Sequence, residues 1–168
     1  MGSTAKVTRL KVVKVEKEKE IIMGKSICGA NCVECMMKET CHGCMETKGC
    51  PFGKQCFIAE YITVGGEEKL QEFKEKLIEE FNELKIPGMP EVTDLCALVG
   101  SFINLEYTLP NGQAVKFLDD NSVYLGNQLE CELGGDRCFG IVAGMEFLMV
   151  CTYGENGADP ELVLYKKR

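Results

Sequence analysis

The clearest periodicity in the chain lies over residues 67–85. There Leu70, Phe73, Leu77, Phe81 and Leu84 recur at helical spacing, Ile78 widens the stripe, and Glu and Lys cover the other face. This pattern predicts an amphipathic helix packed on its own domain's core and ended by Pro87, Gly88 and Pro90. The Gly65-Gly66 pair sets it apart from a shorter helix predicted over residues 55–61. Residues 91–99 suit either a short helix or the approach to a sheet. From Gly100 onward short apolar runs alternate with turn residues, which predicts strands over residues 102–109, 114–118, 122–125, 128–133, 137–143, 145–153 and 161–166. Asn111-Gly112 is read as a two-residue hairpin turn, with further turns at Asp119-Asp120-Asn121, Gly126-Asn127, Gly134-Gly135 and over residues 154–160. Upstream, residues 7–15 alternate as a strand and residues 21–23 give a second apolar run, together suggesting a hairpin.

The expected fold class is therefore α+β: a cysteine-rich metal module joined to one long amphipathic helix and an antiparallel β meander. Residues 1–26 would form an N-terminal hairpin joining the main sheet, 27–62 the cysteine-rich module, and 63–168 the helix-plus-sheet domain.

Composition narrows the classes of partner. With 168 residues, 45% hydrophobic and 27% charged, the chain can bury a core and is not a disordered tail. A net charge of -7 argues against nucleic acid or an anionic membrane as partner, since both require a basic surface. Lys6, Arg9, Lys11 and Lys14 are read as a solvated strand face. The longest apolar stretch, residues 140–150, is broken by Gly144 and Glu146 and is too short to span a bilayer. The N-terminal residues lack the uninterrupted apolar run of a secretion signal, so a cytoplasmic location is expected. In that reducing compartment dense cysteines serve as metal ligands or redox groups more often than as disulfides.

Seven of the eleven cysteines fall in one run: Cys28, Cys32, Cys35, Cys41, Cys44, Cys50 and Cys56. Cys32-x2-Cys35 and Cys41-x2-Cys44 have knuckle spacing, in which a tight turn points two sulfurs inward while backbone amides donate to them. Gly43 suits such a turn because it tolerates positive φ. All seven are candidate metal ligands, with zinc the expected ion. Two tetrahedral ions need eight contacts. The seven thiolates supply that number if one of them bridges or if His42, the only histidine, joins, although a histidine inside a CxxC turn more often faces solvent. Spacing alone leaves open which cysteines share an ion.

The ladder of Cys28-Gly29-x2-Cys32-x2-Cys35, Cys41-x-Gly43-Cys44 and Cys50-x5-Cys56 resembles an uncharacterised family of small cysteine-rich bacterial and archaeal proteins, a domain of unknown function taken to bind zinc. The resemblance covers residues 28–62 and implies a metal module without implying an activity. Cys28-x3-Cys32-x2-Cys35 also has the spacing that holds the iron-sulfur cluster of radical S-adenosylmethionine enzymes, but Glu34 stands where those enzymes usually carry an aromatic residue, and no long run of alternating strands and helices follows. Cys50-Pro51 echoes the end of a ferredoxin motif, while the other spacings do not match one. Gly24-Lys25-Ser26 lacks the earlier glycine of a phosphate-binding loop, because Lys19 stands there.

Outside the run, Cys96 and Cys151 lie among apolar residues and are expected to be buried thiols. A two-residue Gly134-Gly135 loop would set Glu132 opposite Arg137 and Cys131 opposite Cys138, within cross-strand contact. No GxSxG, HExxH or dinucleotide motif is present, and a single histidine offers little for proton transfer at neutral pH. Two functions remain open at this level. One is a non-enzymatic zinc-stapled module that binds an unknown protein or small molecule. The other is a redox or electron-transfer protein using an iron-sulfur cluster or reactive thiols.

Overall fold

The computed structural model of the chain describes residues 26–27, 31–32, 34–35, 38–54, 56–103, 105–130 and 136–168, with Asn156 described by its backbone alone. The hairpin expected over residues 1–26 lies outside them except for Ser26, as do Cys28 and Cys131.

The apolar stripe builds helix α1, Phe57–Glu83, which is broken at Gly66 (φ 77°, ψ 178°) where the glycine pair predicts a boundary. Its two segments bury different side chains: Phe57, Ile58 and Ala59 in the first, Leu77 and Phe81 in the second. Leu70, Phe73, Ile78 and Leu84 pack around these, completing the face read from the sequence. Beyond the helix, Asn82 holds the returning chain with both ends of its amide. Its Oδ1 accepts from the Val92 N–H at 2.8 Å and its Nδ2 donates to the Val92 carbonyl at 3.0 Å.

Seven strands follow: β1 (Cys96–Val99), β2 (Glu106–Thr108), β3 (Ala114–Lys116), β4 (Val123–Leu129), β5 (Cys138–Ala143), β6 (Phe147–Tyr153) and β7 (Glu161–Lys167). Five form an antiparallel sheet in the order β1-β4-β5-β6-β7, and β2 and β3 form a separate two-stranded sheet. The architecture is α+β. The β2–β3 hairpin is an excursion between β1 and β4, so the predicted meander is continuous only from β4 onward.

Strand alternation divides the interior in two. Val123, Leu125, Leu129, Ile141, Ala143, Leu148 and Val150 join the helix in one core. Val142, Met149, Cys151 and Tyr153 point into a second, closed by Ile103, Leu105 and Leu118. A row of aromatic contacts covers that second core, running Tyr107–Phe117 (6.2 Å between centroids), Phe117–Tyr165 (6.0 Å), Tyr165–Phe147 (5.6 Å) and Phe147–Tyr124 (5.9 Å). Arg168 ties the sheet to the helix. Its guanidinium makes a two-pronged bond to Glu80 (2.6 and 2.7 Å), donates to the Met145 carbonyl at 3.2 Å and lies 5.3 Å over the Phe73 ring.

Several turn predictions are corrected. Gly126-Asn127 is strand interior: Gly126 faces Cys96 on one side and Val142 on the other. A Cβ there would stand 2.5 Å from the Ile141 carbonyl oxygen and 2.9 Å from Leu98 Cδ2. Glycine is required here by close packing, a need that leaves the same mark on a sequence as a turn. The β2–β3 loop is longer by one residue than a two-residue turn. Leu109 and Gln113 close it at 2.8 Å with Pro110, Asn111 and Gly112 (φ 84°) inside, because proline pre-sets the first corner. The strand expected from residue 102 starts only at Glu106, since residues 100–102 form a 3-10 turn. In the β4–β5 hairpin Leu129 faces Phe139, one residue out of the register that would set Cys131 opposite Cys138. Arg137 turns instead to the next strand, donating to Thr152 Oγ1 at 3.3 Å and to the carbonyl of Thr152 at 2.9 Å. Cys96, expected buried, is exposed at the start of an edge strand opposite a glycine.

Cys151 is fully buried, and burial pushes its thiol up to about 11 from an ordinary 9.0. The folded protein keeps this proton where the unfolded chain has lost it, so stability falls as pH rises from 9.0 towards 11. Equilibrium unfolding across that window should show a downward slope that Cys151→Ala reduces. Equal slopes in the two proteins would contradict this assignment.

Candidate metal centre

The sequence places Cys41, His42, Gly43 and Cys44 in four successive positions, and the local backbone follows from the glycine. Gly43 adopts φ +84°, a conformation costly for other residues, and its amide donates to Cys41 Sγ at 3.4 Å. Donation of this kind is what the backbone of a metal knuckle offers its ligand sulfurs. Thr47 fastens the turn from outside, with its amide (3.1 Å) and hydroxyl (2.6 Å) both donating to the Gly43 carbonyl.

The chain then doubles back through Lys48 (φ 52°) and Gly49 (φ 89°), where the Gly49 amide donates to the Cys44 carbonyl at 2.8 Å. Two long-range backbone bonds close the knot: the His42 amide to the Pro51 carbonyl (2.9 Å) and the Cys56 amide to the Gly49 carbonyl (2.9 Å). Residues 41–56 thus form a loop whose shape is set by its own main chain and requires no strand or helix.

Three attachments hold this loop to the domain. Cys56, 6% exposed, makes an isolated parallel bridge to Val123 of β4 and leads directly into α1. Pro51 is buried and Phe52 packs on the helix-side core. Lys54 pairs with the Asp119 carboxylate, which the lysine and the Asn121 amide hold below the usual carboxylate range. The Asp119-Asp120-Asn121 segment is a turn as expected, with Asp119 Oδ1 accepting from the Asn121 N–H at 3.0 Å.

Of the seven candidate ligands, Cys32, Cys35, Cys41, Cys44 and Cys50 are partly exposed and Cys56 is buried. Cys35 lies in a short turned segment, with the Glu34 amide donating to the Asn31 carbonyl and the Lys38 amide to the Cys35 carbonyl, each at 3.2 Å. His42 is exposed, as expected for a histidine inside such a turn. Among the described residues no three Cys, His, Asp or Glu side chains gather into a group that could hold a metal ion. The donors on 41–56 are the sulfurs of Cys41, Cys44, Cys50 and Cys56, with His42 and Glu46 both exposed beside them. That chemistry suits zinc or an iron-sulfur cluster and not a hard cation. Among the described residues no helix is long and apolar enough to cross a membrane.

A second concavity, about 620 Å³, lies at the far end of the sheet between the 3-10 turn after β1, the start of β5 and the β6–β7 loop. It gathers side chains from four separate stretches of chain, so no local motif could have revealed it. No family model, curated protein or solved structure matches the chain.

Proposed function

We propose that residues 28–56 form a thiolate metal module that staples the start of α1 to the sheet of a binding protein, with zinc as its structural ion and Cys28, Cys32, Cys35, Cys41, Cys44, Cys50 and Cys56 as the pool of ligands. The observation that carries this reading is the Gly43 amide donating to Cys41 Sγ at 3.4 Å from a left-handed turn between two cysteines. Backbone amides placed in this way donate to the ligand sulfurs of cysteine knuckles. Placement adds support: the loop runs directly into the first turn of α1, whose Phe57, Ile58 and Ala59 are buried, so fixing the loop fixes the helix against β4. Binding free energy at such a site would then be folding free energy for the surrounding segment. A cytoplasmic location and membership of the cysteine-rich zinc family belong to the same proposal.

Anaerobic purification followed by metal analysis and a visible spectrum tests it. The expected product is colourless protein carrying one or two zinc ions per chain. Brown protein containing iron and sulfide, or protein with no bound metal, would overturn the zinc assignment.

A further inference from the structure

The 620 Å³ cleft has a volume suited to a small organic ligand. Its floor is apolar, made by Ile103 and Tyr153, which are 7% and 5% exposed. Tyr153 packs against Gly140, where a Cβ would stand 2.8 Å from a ring carbon, so the glycine makes room for the ring. Phe102, 60% exposed, also lines the cleft and adds an aromatic ring to it. The polar residues that line it include Asp136, Glu155 and Gln128, and Cys138 lines it as well.

The charge of this lining is one-sided. Among the described residues it contains two carboxylates and neither lysine nor arginine. Arg137, next to two lining residues in sequence, is committed elsewhere, to Thr152 and to the Asp159 carbonyl at 2.5 Å. Aromatic faces attract cations through their quadrupole, and carboxylates in the lining add to that attraction while repelling anions.

We infer that this cleft binds a small organic cation, an ammonium group carried on an apolar body, with the apolar part on Ile103 and Tyr153 and the charge held between Phe102, Asp136 and Glu155. The inference deepens the reading of the chain as a binding protein. Its readout at Cys138 is independent of metal in the 28–56 module, so either can fail without the other.

The test uses phenethylammonium as probe and alkylation of the full-length protein by iodoacetamide as readout, with Cys138 and Cys96 followed separately by peptide mass spectrometry. Phenethylammonium should slow alkylation of Cys138 several-fold and leave Cys96, exposed and outside the cleft, unchanged. Phenylacetate, with a similar ring and the opposite charge, should give no protection. Replacing both lining carboxylates, Asp136→Asn with Glu155→Gln, should raise the half-protecting concentration at least about threefold, as expected for losing two exposed charge contacts. No protection of Cys138, equal protection by phenylacetate, parallel slowing at Cys96, or an unshifted curve in the double variant would each overturn the inference.

Discussion

Phe81→Ala should lower the free energy of unfolding by about 3–5 kcal/mol, the range for truncating a fully buried aromatic side chain. Phe81 and Leu77 are both 0% exposed and sit where the second segment of α1 meets the sheet-borne residues Leu125, Ile141 and Leu148. The cavity would open at the centre of the larger core, with partner side chains on two elements that are each held elsewhere. Asn82 pins the helix end to Val92, and Arg168 pins the helix to the β5–β6 turn, so collapse to fill the void is restricted. Ile78→Ala, one residue from the buried stripe and only partly buried, should cost markedly less. Denaturant titrations of the two variants check this. A Phe81→Ala cost no larger than that of Ile78→Ala would mean that the helix is not docked by this face.

The second large effect is expected at the metal module. Cys41→Ser with Cys44→Ser removes both sulfurs of a knuckle whose turn carries an amide-to-sulfur bond. Under the proposal this variant loses its share of bound zinc, and residues 41–56 lose amide protection in hydrogen exchange. The bonds to watch are His42 to Pro51 and Cys56 to Gly49, since they close the loop and are made by main-chain amides whose exchange can be followed one by one. Protection in β5 and β6 should persist, because each is paired on both sides within the five-stranded sheet and both also feed the second core. Unchanged metal content and unchanged protection at His42 and Cys56 would count against a structural ion there.

Much of the fold could be read from the residues because the strongest signals are periodic. The stripe from Leu70 to Phe81 specifies both the existence of α1 and its buried face, and the alternation across β5 and β6 specifies which side chains enter each core. Punctuation was less legible, because one residue type answers several needs. Gly66 interrupts a helix as expected, whereas Gly126 sits mid-strand because the Ile141 carbonyl passes too close for a side chain. Pro110 lengthens the β2–β3 loop beyond what Asn111-Gly112 alone suggests. Pairing partners were the least legible feature. That β1 skips the β2–β3 hairpin to lie beside β4 depends on long-range packing, and no local pattern records it.

The candidate sites divide in the same way. The knuckle at Cys41 and Cys44 is a local feature, and the positive φ expected of Gly43 is the one its backbone adopts. The burial of Cys56 at the start of α1 is tertiary, and its bridge to Val123 joins residues far apart in the chain. The cleft is tertiary throughout, since Phe102, Gln128, Cys138 and Glu155 meet only once the sheet has formed.

The most direct test of the proposed metal module is X-ray absorption at the metal edge of anaerobically purified protein. A first shell made of sulfur at about 2.3 Å, the distance of zinc bound by cysteine thiolates, is the predicted result. A shell of oxygen and nitrogen without sulfur, or no edge from any transition metal, would contradict it.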